Sequence, residues 1–169
     1  ALKSGSTEEI ESLMAELLSK RTQMPVYRIE PGMTAQADSV YLIPPKTNLT
    51  MFHGRLLLSE QDPSRGINLP IDIFFRSLAE DQGDKAVGVV LSGTGSDGTR
   101  GVRAIKEAGG TVIVQSPESA KFDGMPRSAS AAGLADFVLS PDKMAKQLLA
   151  FVGQPRRPPS ELPTDRKST

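Results

Sequence analysis

The stretch best suited to chemistry is SGTGSDGTRG, residues 92–101, which contains a single carboxylate, Asp97. It follows a short apolar run, and Gly93, Gly95 and Gly98 have the spacing G-x-G-x-x-G. Glycines at this spacing permit a tight turn between a strand and a helix, where backbone N–H groups can hold a pyrophosphate. The same turn can instead fix a carboxylate at the edge of a sheet. The stretch therefore predicts either a nucleotide site or a site built around Asp97.

Two features argue against nucleotide binding. Asp97 places a negative charge where the pyrophosphate would lie, at the N-terminus of the following helix. A dinucleotide site also needs an acidic residue about 20 residues further on, at the end of the next strand. Gln115 and Ser116 stand there instead, and Glu118 is a loose match. A site built around the carboxylate is favoured, with a nucleotide-binding domain as an alternative.

Two roles for Asp97 are open. A fixed, ionised carboxylate is suited to orienting a histidine and stabilising its imidazolium, as the third member of a Ser-His-Asp triad. Aspartate is equally common as the N-cap of a helix, here the helix predicted over residues 99–108. The residues alone do not decide between these two roles.

Partners for a triad are scarce in this sequence. The single histidine, His53, falls in a predicted hairpin turn, where a solvated turn residue is the simpler interpretation. Ser92 and Ser96 flank the loop, but no base is adjacent to activate them. Cysteine is absent, which excludes thiolate catalysis and disulfides.

Composition narrows the function classes. Acidic and basic residues number 20 each, so the chain lacks the basic excess of a nucleic-acid-binding protein. No stretch approaches the roughly 20 apolar residues of a membrane-spanning helix, so no membrane insertion is expected. No secretory signal is visible, and the absence of cysteine fits a reducing cytoplasm.

Hydrophobic periodicity in the first half predicts a helix, two strands and a hairpin. The helix covers residues 6–21. Its apolar positions recur at helical spacing, at Ile10, Leu13, Met14, Leu17 and Leu18. The strands cover 26–29 and 40–45, and the hairpin covers 49–58 with its turn at His53-Gly54.

The second half alternates strands and helices. A helix begins at Pro70, and the near-continuous apolar run 86–92 predicts a strand at a central parallel position. The elements after it are a helix at 99–108, a strand at 111–115, a short helix near Pro126, a strand at 135–140 and a helix at 141–152. This βαβαβα order predicts an α/β fold with a doubly wound, mostly parallel sheet flanked by helices. Residues 1–153 would form the domain, and the proline-rich residues 154–169 a linker or disordered tail.

Several motifs, in the right order, resemble the catalytic domain of the chemotaxis methylesterases, the CheB family. They are SGTGSDGTRG, AIKEAGG, VQSPESAKFDGMPRSA, GLADFVL, PIDIFFRSLAEDQG, MAELLSKRTQMPV and VYLIPP. The resemblance runs from about Ser12 to Val152 and is closest to versions fused to a receptor methyltransferase.

The resemblance implies a hydrolase that removes glutamate γ-methyl esters from the cytoplasmic helices of chemoreceptors, releases methanol and often deamidates glutamines. The family uses a Ser-His-Asp triad, with no metal and no cofactor. Asp97 falls on the triad aspartate. Thr94 falls near the oxyanion site, where many members have methionine.

The serine and histidine of the family belong to a first βαβ portion that precedes the helix at 6–21, and this chain begins at that helix. Ser4–Thr7 resembles the nucleophile turn only faintly, and Ser6 with Glu9 fits a helix cap better. We therefore expect a partial catalytic domain of which only Asp97 is in this chain. The alternative is a non-catalytic regulatory or interaction module beside a methyltransferase.

Two weaker features have equally good structural explanations. Met125-Pro126 would border the substrate cleft or simply begin a helix. Arg100, Arg103 and Lys106 lie at helical spacing and would meet acidic receptor helices or form a solvated face.

Overall fold

The computed structural model describes the backbone of residues 7–153 and the side chains of residues 13–64 and 66–153. The helices in this part of the chain are α1 (Thr7–Ser19), α2 (Pro70–Gln82), α3 (Thr99–Glu107), α4 (Gly124–Ala131) and α5 (Pro141–Val152). The strands are β1 (Val26–Arg28), β2 (Val40–Leu42), β3 (Thr47–Phe52), β4 (Arg55–Glu60), β5 (Val87–Val90), β6 (Thr111–Gln115) and β7 (Phe137–Leu139). The predicted cap at Ser6 and the proline-rich segment 154–169 lie outside the described residues.

The strands form mostly parallel pairs. β5, β6 and β7 make one parallel sheet in that order, with Val90 aligned to Val114 and Val114 to Val138. β1 and β2 make a second parallel pair, and β3 and β4 make an antiparallel hairpin. The predicted α/β fold, with parallel sheets flanked by helices and a hairpin excursion, is confirmed.

The central position predicted for residues 86–92 is wrong within the described part of the chain. There β5 pairs only with β6, and β6 is the central strand of the three. Four of the five residues of β6 are buried, whereas buried and half-buried residues alternate along β5. An apolar run indicates that both faces of a strand are covered, but it does not fix the number of neighbouring strands.

The main core lies between this sheet and the helices. Val112, Ile113 and Val114 of β6 are each at most 1% exposed, and Val102 and Ile105 of α3 are fully buried. Burying a side chain of this size contributes about 1.5–3 kcal/mol. The carboxyl ends of the strands, where the glycine-rich loop begins, therefore rest on a well-packed core.

The apolar side of α1 is less covered than its sequence pattern predicts. Leu13, Met14 and Leu17 remain 54%, 48% and 49% exposed. A helix with this apolar spacing normally packs that side against a core. Within the described residues the face is only partly covered.

The hairpin is fastened to the C-terminal part of α2. Its turn lies at His53-Gly54 as predicted, with φ of 49° and 73°, in the left-handed region that tight hairpin turns require. Asp81 of α2 accepts hydrogen bonds from the backbone N–H of His53 and, at 3.0 Å, from that of Gly54. Because one carboxylate binds both turn amides, α2 fixes the tip of the hairpin.

This contact predicts a pH-dependent contribution to stability. The Gln82 amide, together with the Gly54 and His53 N–H groups, holds the pKa of Asp81 below its ordinary value of 3.8. A lowered folded-state pKa gives stability that is present above pH 3.8 and is lost as the pH falls through the folded value.

We expect Asp81→Asn to lower the free energy of unfolding by about 1 kcal/mol at neutral pH. In urea titrations the difference from the wild type should stay constant down to about pH 4 and shrink below it. Asp84→Asn, an exposed change just after α2, is the matched control. A difference that is independent of pH down to pH 2 would contradict this account.

Candidate functional site

The glycine-rich loop lies at the carboxyl end of β5 and leads directly into α3. Gly95 and Gly98 have φ of 85° and 92°, which side-chain-bearing residues rarely adopt. A Cβ atom at Gly98 would also lie 3.2 Å from the Ile71 side chain. These two glycines let the loop turn sharply against the start of α2, and this turn sets the position of Asp97.

The carboxylate of Asp97 binds the N-terminus of α2. Its Oδ2 accepts from the N–H of Ile71 at 3.0 Å, and its Oδ1 accepts from the N–H of Asp72 at 2.9 Å. Oδ1 also accepts from the N–H of Gly98 at 2.9 Å. Pro70 has no N–H, and the N-cap residue of α2, Leu69, makes no side-chain cap bond. Asp97 therefore supplies the cap that α2 does not provide for itself.

The interpretation of Asp97 as the N-cap of α3 is wrong. The N-cap position of α3 is Gly98, in a left-handed conformation and without a side-chain cap bond. The side chain of Asp97 is directed to a helix some 25 residues earlier in the chain. A cap supplied across the fold depends on tertiary packing, which local sequence rules do not include.

The return contact comes from Asp72, which the sequence analysis missed. Asp72 lies in the first turn of α2, is 5% exposed, and accepts a 2.7 Å hydrogen bond from the N–H of Gly101 in α3. Asp97, just before α3, thus caps the start of α2, and Asp72 of α2 caps the start of α3. We call this Asp97–Asp72 arrangement the reciprocal cap. The sequence does contain one sign of this role, because an acidic residue in the first turn of a helix is favourably placed to bind free backbone N–H groups.

The reciprocal cap needs the two helices to lie very close together. A Cβ atom at Gly101 would lie 2.6 Å from the Cβ of Phe75 and 3.2 Å from the Cα of Asp72. Only glycine fits at this position without moving α2 or α3. The two helices can thus pack this closely because Gly101 has no side chain.

The two carboxylates of the reciprocal cap both lie against the starts of helices. Each carboxylate faces the positive end of a helix dipole and accepts from backbone N–H groups that would otherwise lack partners. Among the described residues Asp97 has no ion pair with a lysine, arginine or histidine. A carboxylate offers about four lone pairs, and three on Asp97 are used, so one remains for a further donor.

A second loop supports the first through Gln115, which is 6% exposed. Its Oε1 accepts from the N–H of Ser92 at 2.9 Å, and its Nε2 donates to the carbonyl of Ser119 at 3.1 Å. The position expected to hold an acidic ribose ligand therefore holds a buried amide that joins two loops. Ser92 is bound as well, since its hydroxyl oxygen accepts from the N–H of Phe122.

Met125 packs beside the loop. Its N–H donates to the carbonyl of Gly93 at 2.9 Å, and a Cβ atom at Gly93 would collide with its sulfur. α4 begins at Gly124, two residues before the predicted start at Pro126. Met125 thus borders the glycine-rich loop.

The structure separates His53 from Asp97. Asp97 caps the first turn of α2, whereas the hairpin turn with His53 is bound by Asp81 near the last turn. Residues 71 and 81 are ten positions apart, which corresponds to about 15 Å along the helix. His53 is exposed, as expected of a turn residue, and does not reach Asp97.

The remaining candidates are at the surface. Thr94 and Ser96 are exposed on the loop, and Arg100 and Arg103 are exposed on α3. Lys106 instead pairs with Asp136, with a nitrogen–oxygen distance of 2.6 Å. In the described part of the chain no group of acidic or histidine side chains could hold a metal ion, and no helix is long and apolar enough to span a membrane.

Comparisons with known proteins converge. A family model described as CheB methylesterase matches residues 6–148. An uncharacterized 104.1 kDa protein of Rhodobacter capsulatus is 49% identical over 139 residues, 82% of this chain and 14% of that protein. The protein-glutamate methylesterase/protein-glutamine glutaminase 2 of Cupriavidus metallidurans is 34% identical over 145 residues, 85% of this chain and 43% of that protein. The chain thus spans less than half the length of either relative.

Solved structures agree with the sequence relatives. The crystal structure of the Thermotoga maritima CheB methylesterase catalytic domain superposes with a TM-score of 0.73 at 29% identity. The superposition covers 82% of this chain and 76% of that catalytic domain. Part of that domain therefore has no counterpart among these residues.

Proposed function

Since the chain belongs to the CheB methylesterase family, we propose that it forms part of a protein-glutamate methylesterase and contributes Asp97 to a Ser-His-Asp triad. Its substrates would be γ-methyl esters of glutamate on the cytoplasmic helices of a chemoreceptor. The names of the curated relatives also support deamidation of protein glutamine as a second activity. The enzyme would then work in the cytoplasm.

One observation carries this proposal: the carboxylate of Asp97 is held by three N–H groups and, within the described residues, keeps one lone pair free. A histidine Nδ1–H can donate to that lone pair. An aspartate bound this way holds the ring in one tautomer and stabilises the imidazolium that forms during catalysis.

The reaction divides into acylation and deacylation. The serine oxygen attacks the ester carbonyl carbon while the histidine takes the serine proton. The ester C–O bond then breaks, and the histidine returns that proton to the leaving methoxide, which departs as methanol. Water hydrolyses the acyl-serine in the same manner, which yields glutamate and restores the serine.

We place the serine and histidine in a segment outside these 169 residues. Ser92 is engaged by the backbone of Phe122, and His53 lies at the other end of α2. Three features support an additional segment, and the first two are the free edge of β5 within the described residues and the partly covered face of α1. A third is an apolar cavity of about 430 Å³ beside the first turn of α2, lined in part by Ile71 and Val89.

Methanol release from a methylated chemoreceptor tests the proposal. The assay would compare the longest natural protein that contains this chain with the 169-residue chain alone. We expect release from the longer protein only. A longer protein without activity would support a non-catalytic module beside a methyltransferase, and activity of the 169 residues alone would overturn our placement of the serine and histidine.

A further inference from the structure

We propose that Asp72 is a positioning residue for the methylesterase reaction, because it fixes the start of α3 and thereby the loop that presents Asp97. This inference rests on the proposed role of Asp97. Asp72 would not touch the substrate. It would act through the reciprocal cap.

The contact between the two helix starts runs in both directions. The backbone N–H of Asp72 donates to Asp97, and the side chain of Asp72 accepts from Gly101. One residue of α2 therefore binds the chain both just before α3 and inside its first turn. The Asp97 carboxylate cannot move relative to α2 without breaking one of these bonds.

Burial makes this restraint strong. Asp72 is 5% exposed, so its carboxylate has little access to water that could replace the N–H of Gly101. Removing the acceptor would leave the buried N–H of Gly101 without a partner, and an unpaired buried donor is strongly unfavourable. A shift of α3 away from α2 would let this N–H reach another acceptor, and that shift would also move Asp97.

The kinetic test uses Asp72→Ala and Asp72→Asn in the catalytically active longer protein. A misplacement of about 1 Å can lower a rate about 10²-fold, so we expect Asp72→Ala to lower kcat by about 10–100-fold with KM little changed. Asparagine keeps an oxygen that can accept from Gly101, so Asp72→Asn should recover most of the lost kcat. All rates would be measured where circular dichroism shows each variant to be folded.

Asp81→Ala is the matched control. Asp81 is an α2 aspartate whose side chain, like that of Asp72, accepts hydrogen bonds from backbone N–H groups of another element. It lies at the opposite end of the helix, so it should lower stability and leave kcat unchanged. If Asp72→Ala lowers kcat no more than Asp81→Ala does, the positioning role is wrong. If Asp97→Asn itself retains full kcat, the proposed function fails instead.

Hydrogen exchange provides a second measurement that does not depend on Asp72→Ala folding. Asp97→Ala removes no acceptor from Gly101, whose N–H binds Asp72. If the two caps act as one unit, the Gly101 amide should nevertheless exchange at least about tenfold faster in Asp97→Ala. Unchanged exchange at Gly101 would mean that the caps are independent and would overturn the inference.

Discussion

Asp97→Asn is expected to lower the kcat of methanol release by about 10³–10⁴-fold in the longer methylesterase, with little effect on KM. Asparagine has nearly the same shape, but it removes the negative charge that would stabilise the imidazolium. Its amide group also turns an N–H donor toward one of the N–H groups of α2, which are donors as well. The triad would lose both its orientation and its charge.

A purely structural role for Asp97 predicts a much smaller result. Loss of a helix cap costs about 0.5–2 kcal/mol of stability and leaves the rate of the folded enzyme nearly unchanged. The kinetics should therefore be measured well below the unfolding transition. Asp123→Asn is a suitable control, since Asp123 precedes α4 and pairs with Arg127 instead of capping α2. If the Asp97→Asn enzyme keeps full turnover, Asp97 acts only as a structural cap.

The second large effect is expected for Gly101→Ala, where two rules predict opposite signs. Helix propensity alone favours alanine by about 1 kcal/mol. The new methyl group, however, would lie 2.6 Å from the Cβ of Phe75, which cannot swing away as a flexible side-chain end could. Overpacking of this kind costs about 1–3 kcal/mol, and separation of α2 from α3 would also strain the reciprocal cap.

We expect a net loss of about 2 kcal/mol of unfolding free energy for Gly101→Ala and a Tm lower by about 4–8 °C. Urea and thermal denaturation would measure it. Arg103→Ala, on the exposed side of the same helix, should change stability by less than about 0.5 kcal/mol. A Gly101→Ala protein more stable than the wild type would contradict the close packing of α2 against α3 at this position.

Local patterns in the sequence predicted the elements of this fold well. The strand–helix alternation after residue 86 and the turn at His53-Gly54 are confirmed, because periodicity and turn chemistry act over a few residues. The partly exposed face of α1 and the edge position of β5 were not predicted. Both depend on which other segments pack alongside, and no local pattern specifies this.

The candidate site was predicted only in part. Asp97 was identified from its glycine-rich setting, but its contact with α2 links residues 25 and 26 positions apart. Asp72 was missed because an acidic residue in a first turn is common and points to no particular partner. Gln115 was noticed as a departure from a nucleotide site, and its role in joining two loops required the tertiary structure.

The reciprocal cap has a consequence for how this sequence can evolve. A helix that carries its own cap can change that residue without regard to the rest of the fold, but here either substitution leaves the other helix start incomplete. We therefore expect positions 72 and 97 both to stay acidic in relatives that keep this arrangement of helices. For the same reason, a chimaera that receives an α2 without an acidic residue at position 72 should lose stability at the start of α3, although the sequence of α3 itself is unchanged.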